Sequence, residues 1–386
     1  MDRIQLKQEQ DEVMAMDYSK YYLPVLVQLA ALAGLLAGGN WVWIGVATLP
    51  ALAILDALLP RDYATRKMRS KALALIPVWI CTLLGPILYL VLAYTVGTSE
   101  FTGWQILGII LSCGWMSVLP LVPASHELYH QRDAFSRFVG RYAQVCYLDC
   151  TRDIGHVVSH HIHVATEKDS DTAARGVSLY GFGPKAVVET TLDCLRTESD
   201  ALEKRGLGRW SIHHRLWKAI VAQVVFQVII FQIGGLKANG VALATMLLAR
   251  FWIETFNYFQ HYGQVRIQGA PIEKRHVWNH LAPLSRIMTF EITNHADHHL
   301  NSYAPYFALV PDKSAIKLPN VFICFFAALV PSIWFSMIIQ PALKRWDNEF
   351  ASPEERVLAR AQNERAGWPN WFDPAPETTT KQSKQA

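Results

Sequence analysis

Nine of the fourteen histidines fall into four short groups whose spacing suits metal ligation. His126 and His130 stand in the run HELYH; His156, His160 and His161 in GHVVSHH; His261 alone in NYFQHYG; His295, His298 and His299 in HADHH. On an α-helix, positions i and i+4 share a face. His126 with His130, and His156 with His160, can therefore each offer two imidazoles to one side. His161 is turned about 100° from His160, which lets that pair reach toward different ions. Imidazole is the commonest metal ligand and suits iron, copper or zinc. Any one group alone is more simply a solvated histidine pair. Together, nine candidate ligands exceed what one octahedral or tetrahedral ion can use, so two ions are expected. His163, His213, His214, His276 and His280 lack this spacing and read as supporting or surface residues.

Carboxylates stand beside the groups: Glu127, Asp153, Glu254, Glu291 and Asp297, with Asp56 at the end of an apolar run. A metal-bound histidine usually passes its other ring N–H to a carboxylate or carbonyl, so these six are candidates for that supporting role. Glu127 and Asp297 are equally readable as a solvated helix face. Asp56 is costly in an apolar run unless it has a partner.

The elements that must carry these residues are membrane helices. Apolar runs near 22–38, 40–59, 72–97, 104–123, 218–236 and 239–253 each approach or reach the roughly 20 residues that cross a bilayer. Turn formers at Gly38-Gly39-Asn40 and from Gly234 to Gly240 join the first two and the last two as tight hairpins. No composition break divides the 386 residues, so a single all-α unit is expected: a polytopic bundle of six transmembrane helices with a cytoplasmic, histidine-rich helical cap. Nothing at the N-terminus resembles a cleaved signal peptide.

Lys and Arg in short loops set orientation. Arg3, Lys7 and Lys20, then Arg61 to Lys71, then Arg132, Arg137 and Arg141 alternate with turns that carry none or only Lys237. This places the long polar regions 124–217 and 254–318 on the cytoplasmic side together. The apolar segment 319–339 contains Pro331 and is expected to pack into the bundle, with 340–386 as a cytoplasmic tail whose last residues, Thr378 to Ala386, look disordered.

The six cysteines are scattered and imply no disulfide framework or iron–sulfur spacing, and no dinucleotide fingerprint or phosphate loop is present. Neither flavin nor nicotinamide is expected on this chain, and nucleic acid is not an expected partner. Redox chemistry here needs electrons from another protein.

HELYH, GHVVSHH, NYFQHYG and HADHH, in this order and separated by membrane spans, resemble the histidine boxes of the integral-membrane alkane hydroxylase and xylene monooxygenase family. The likeness extends to Asn40-Trp41-Val42-Trp43, Glu291-Ile292-Thr293-Asn294 and Ala366-Gly367-Trp368-Pro369, and leans toward the xylene and p-cymene side of the family. It implies a multi-pass protein of the bacterial inner (cytoplasmic) membrane with two non-haem irons held by His126, His130, His156, His160, His161, His261, His295, His298 and His299. It implies further that O2 is a co-substrate, that a methyl group of toluene, xylene or p-cymene becomes a benzylic alcohol, and that the donor is a separate NADH-dependent reductase with flavin and an iron–sulfur cluster. The substrate is a small hydrophobic molecule that can arrive through the lipid bilayer. Trp79, Trp115, Phe251, Trp252 and Phe256 are candidates to line its pocket.

Other readings stay open. A medium-chain alkane 1-monooxygenase, or a fatty-acid desaturase or hydroxylase, uses similar boxes. A membrane zinc metalloprotease is a more distant reading, because His126-Glu127-x-x-His130 also satisfies the zinc-protease pattern. A metal carrier would need more polar residues within the spans than Asp56 and Glu254. The basic residues Arg132, Arg137, Arg141 and Arg152, with Arg196, Lys204, Arg205 and Arg209, form a candidate reductase docking surface, although topology alone also demands positive charge there.

Overall fold

The histidine-free first third of the sequence, together with the run Arg215–Gln260, forms the membrane bundle. In the computed structural model, which describes residues 15–372, the first helices are α1 (Leu23–Ala37), α2 (Ile44–Leu58), α3 (Lys71–Thr98) and α4 (Gly103–Val118). Arg3 and Lys7, and the tail segment Thr378–Ala386, lie outside the described residues. In lipid every backbone polar group must be satisfied within the chain, and an uninterrupted apolar helix does this. Where helices end, side chains take over: Ser70 accepts from Leu73 N, and Thr102 with Gln105 forms a capping box. Gly38, at φ 67°, turns the chain after α1.

Among the described residues five helices are long and apolar enough to cross a bilayer: Ala15–Ala37, Gly39–Leu58, Lys71–Thr98, Gly103–Tyr129 and Arg215–Gln260. The expected fifth and sixth spans are thus one continuous run. Gly235 (φ 71°) breaks it, and the halves fold back on each other, since Asn239 donates to Gln227 and both Gln223 and Gln227 reach Met246. Six crossings follow. The turn packs on the end of α3, where a Cβ on Gly97 would lie 2.5 Å from Gly234 Cα. Small residues let backbones approach this closely.

α5 (Leu121–Tyr129) ends the fourth span, and the cap carries α6 (Ala134–Tyr142), α7 (Leu179–Glu203), and, after the long run α8 (Arg215–Gln260), α9 (Pro283–Met288) and α10 (His295–Leu300). The apolar segment 319–339 is not one helix. α11 (Val321–Ala328) is followed by a break at Leu329–Val330 and a π-helical stretch, Trp334–Ile339. Phe322 and Phe325 of α11 pack edge-on against Trp115, and Trp334 is fully buried. The polar helices α12 (Gln340–Glu349) and α13 (Pro353–Ala366) then return to the cap. There Arg175, fully buried, binds Asp347 through both guanidinium arms and donates to Gly263 O.

A Cβ on Gly234 would meet Ala93 O at 2.1 Å, whereas one on Gly240 meets nothing within 4 Å. Gly234→Val should cost about 1–3 kcal/mol through overpacking and lower the melting temperature in detergent, while Gly240→Ala should not. Equal melting of the two variants would show that the hairpin does not pack on α3 in this way.

Candidate metal centre

His126 is on the last turn of α5 and His130 caps it. His261 caps α8, and His295, His298 and His299 sit on α10. The second box differs from its α-helical expectation. Gly155–His160 winds as a π-helix, in which i→i+5 contacts replace i→i+4. Residues five apart are brought toward one face, and His161 Nε2 lies 3.0 Å from His156 Nε2. His156 and His160 are not partners in one group.

The nine side chains form two adjoining clusters. Nitrogens of His126, His130, His156 and His298 all lie within 4.8 Å of one another, as do those of His160, His261 and His299. His295 joins the second, with its Nε2 2.8 Å from His261 Nε2 and 3.2 Å from His299 Nε2. His161 stands between them, its ring 4.6 Å from that of His156 and 4.5 Å from that of His299.

Two tautomers are fixed by their partners. His295 Nδ1 is 3.0 Å from Ile292 O, and His160 Nδ1 is 2.9 Å from an Asp169 oxygen, so each N–H is on Nδ1 and each Nε2 offers a lone pair to the cluster. Burial pushes His130 down to about 4 and His295 to about 3, and holds His156, His161, His298 and His299 well below the usual imidazole value. His160 is the exception: burial lowers it, but the Asp169 carboxylate raises it above the ordinary value. Nε2 of His130 and of His298 is buried without a hydrogen-bond partner among the described residues, and the Nε2 atoms of His126, His156 and His161, like those of His261, His295 and His299, have only one another at 2.8–3.2 Å. Lone pairs of neutral rings converging in a buried space repel one another and leave polar atoms unsatisfied, which a cation in each cluster would cure. The residues therefore fit metal, and the all-nitrogen donor set suits iron, copper or zinc.

None of the six carboxylates singled out in the sequence is hydrogen-bonded to a grouped histidine among the described residues. Asp56 caps α9, accepting from Leu284 N, Ser285 N and Ser285 Oγ. Glu127 accepts from Gln131 and Tyr306 N, and Asp153 holds Arg141 and Arg215. Glu254 binds Arg152, Arg250 and Asn257; Asp297 accepts from Asn301 and Val310 N. Glu291 is gripped by Tyr21, Arg66 and Arg286, with left-handed backbone at Phe290 and Glu291 just before the last box. That strain is held by buried ion pairs. Asp169, the carboxylate that does reach a grouped histidine, lies outside the boxes, and nothing in its spacing sets it apart from Asp171.

Two arginines of the expected docking surface are not free. Arg152 is buried against Asp149 and Glu254, and Arg141 is tied to Asp153 at 2.6 Å. The remaining histidines vary: His276 pairs with Glu355 at 2.7 Å, His280 is buried against Phe259, His214 caps α8, His163 is half-buried and His213 exposed.

A cavity of about 50 Å³ opens directly against His126, His156, His261 and His295. Its walls are Val118, Leu119, Val122, Ile253, Phe256 and Ile292, with Asn257, Gln260 and Thr289 among its polar members. Of the five candidate aromatics only Phe256 lines it. Trp115 packs behind Phe256, and Trp252 packs on Trp115; Phe251 stacks on Tyr180 and Trp79 on Phe135.

Comparison with known proteins adds three findings. The profile of the fatty acid desaturase family matches residues 102–317. The xylene/toluene monooxygenase hydroxylase component XylM of Pseudomonas putida is 38% identical over 93% of this chain and 98% of its own length. Alkane 1-monooxygenase of Pseudomonas putida is 25% identical over 80% of this chain and 78% of its own, and alkane 1-monooxygenase 2 of Pseudomonas aeruginosa 29% identical over 76% and 82%.

Losing the Asp169 partner should free the His160 ring and weaken metal binding by roughly 10–100-fold. Chelator competition on Asp169→Ala checks this, with Asp297→Asn as the comparison expected to bind normally. Unchanged affinity in Asp169→Ala would mean the contact does not orient His160.

Proposed function

The chain belongs to the family of integral-membrane alkane and xylene hydroxylases, and on that footing we propose that it is a non-haem diiron monooxygenase acting on a methyl group of an alkylbenzene. Toluene, xylene or p-cymene would give the benzylic alcohol. The observation that carries this reading is an apolar-walled cavity set directly against four of the grouped histidines. His126, His130, His156, His160, His161, His261, His295, His298 and His299 are read as the ligands of two irons. Once bound, the irons supply the chemistry of O2 reduction and C–H oxidation.

The remaining work falls to the chain. Burial keeps His130, His156, His161, His295, His298 and His299 neutral and therefore able to ligate, while Asp169 fixes the ring of His160. Ile292 O and Asp169 turn Nε2 of His295 and His160 inward. Val118, Val122, Ile253 and Phe256 exclude water from the place where the methyl group would lie. At about 50 Å³ the cavity is smaller than the ~150 Å³ space that accepts benzene in an engineered core. A wall residue must move on binding, and we assign this to Phe256, the aromatic member of the wall singled out in the sequence, whose ring rests on Trp115 and Phe325 outside the cavity. The aromatic packing behind it supports a compact substrate over an extended alkane. The named substrates of the 38% identical relative point the same way.

Electrons come, in this reading, from a separate NADH-dependent reductase carrying flavin and an iron–sulfur cluster, approaching on the cytoplasmic side of a bacterial inner membrane. Arg132, Arg137, Arg196, Lys204, Arg205 and Arg209 are exposed and are the docking residues proposed.

The test is turnover in membranes supplied with NADH, O2 and the reductase, offered p-xylene, p-cymene and octane. Benzylic alcohol should dominate. Comparable 1-octanol would instead support an alkane 1-monooxygenase, and an unsaturated product a desaturase. His130→Ala should abolish turnover while Glu127→Gln keeps measurable activity, because the Glu127 carboxylate contacts Gln131 and Tyr306 N and no histidine nitrogen. Equal loss in both, with metal retained in Glu127→Gln, would favour the protease.

A further inference from the structure

A second and larger concavity lies on the outside of the bundle, away from the histidines. It is a groove of about 720 Å³ between α3 and the first half of α8, roofed by Phe138 and Tyr142 of α6. Its long wall is apolar, running through Trp217, Val221, Val225 and Ile229. At 1.5 Å per residue that wall is about 18 Å long, close to the ~15 Å of hydrocarbon in one leaflet.

The end nearer the cap is marked as the headgroup level. Trp210 and Trp217 stack at 5.0 Å, Arg209 lies 5.1 Å over the Trp210 ring, and Trp210 is 72% exposed. Stacked tryptophans with an arginine are the composition of a membrane–water boundary. Lys218, the one charged residue lining the groove, is exposed at this end and enters no ion pair among the described residues. An apolar trough one leaflet long, with free cationic groups at its polar end, is complementary to one acyl chain and the phosphate of a negatively charged lipid.

The groove is not continuous with the histidine cavity. Phe226 on its floor meets the edge of Tyr89, which is fully buried and held by Ser117 Oγ at 3.0 Å and Cys146 O at 2.7 Å. Val118, which lines the cavity, adjoins Ser117 in the chain. A hydrocarbon in the groove would meet a closed wall.

We propose that this groove is a specific site for an anionic phospholipid of the leaflet nearer the histidine centre, its acyl chain against Val221, Val225 and Ile229 and its phosphate on Lys218. The site does not depend on which hydrocarbon is oxidised.

The experiment is native mass spectrometry of the full chain, purified in detergent doped with equal amounts of phosphatidylglycerol and phosphatidylcholine. The wild type should retain phosphatidylglycerol in preference. Val225→Trp, at an exposed position within the groove, should lose the retained lipid, while Val228→Trp, equally exposed but outside the lining, should keep it. Lys218→Met keeps the aliphatic stem and should lower the phosphatidylglycerol preference about fivefold. Equal retention of the two lipids, or undiminished binding in Val225→Trp, would overturn the proposal. A lipid-free dimer abolished by Val225→Trp would overturn it in favour of self-association.

Discussion

Imidazole rings can crowd at contact distance only while they are uncharged, and the rest of the structure follows from keeping them so. Two protonated rings at 4–5 Å in a dry interior would repel by several kcal/mol. Burial removes that danger by making the proton expensive: His130 is held near 4 and His295 near 3. The same burial leaves lone pairs converging on one another, a condition that a cation among them would relieve. The grouped imidazoles thus sit buried at the end of an apolar bundle, beside a cavity walled by Val118, Val122 and Ile253.

Such a cap needs a rigid frame, and the frame is ionic. Arg152 is fully enclosed by Asp149 and Glu254 beside the cavity. Glu291 draws Tyr21, Arg66 and Arg286 together from three parts of the chain just ahead of the last histidine box. Arg175 ties α12 to the backbone two residues beyond His261. Buried pairs contribute little net stability, but breaking one leaves an uncompensated charge. Their effect here is positional, because each joins a remote segment to an element that carries histidines.

The bundle and the histidine boxes were legible in the sequence because they rest on local signals: apolar runs of bilayer length, turn glycines, and imidazoles at helical spacing. What was hidden depends on tertiary context. Nothing in GHVVSHH announces a π-helix, so the pairing of His156 with His160 failed and His161 moved toward His156. Carboxylates adjacent in sequence proved to serve arginines and helix ends, whereas Asp169, eight residues past the second box, curls back to His160. Arg152 reads as surface charge until its acidic neighbours are seen around it. Asp56 was rightly suspected of having a partner, and the partner is the N-terminus of a helix more than 200 residues away.

Iron stoichiometry is the most direct measure of whether two clusters of neutral imidazole constitute a diiron centre. Metal analysis of the purified chain should find two irons, falling to one or fewer in His261→Ala, whose ring belongs to the second cluster, with the helical content unchanged. One stoichiometric zinc, with no loss in His261→Ala, would contradict the diiron reading and leave the second cluster without a metal to hold.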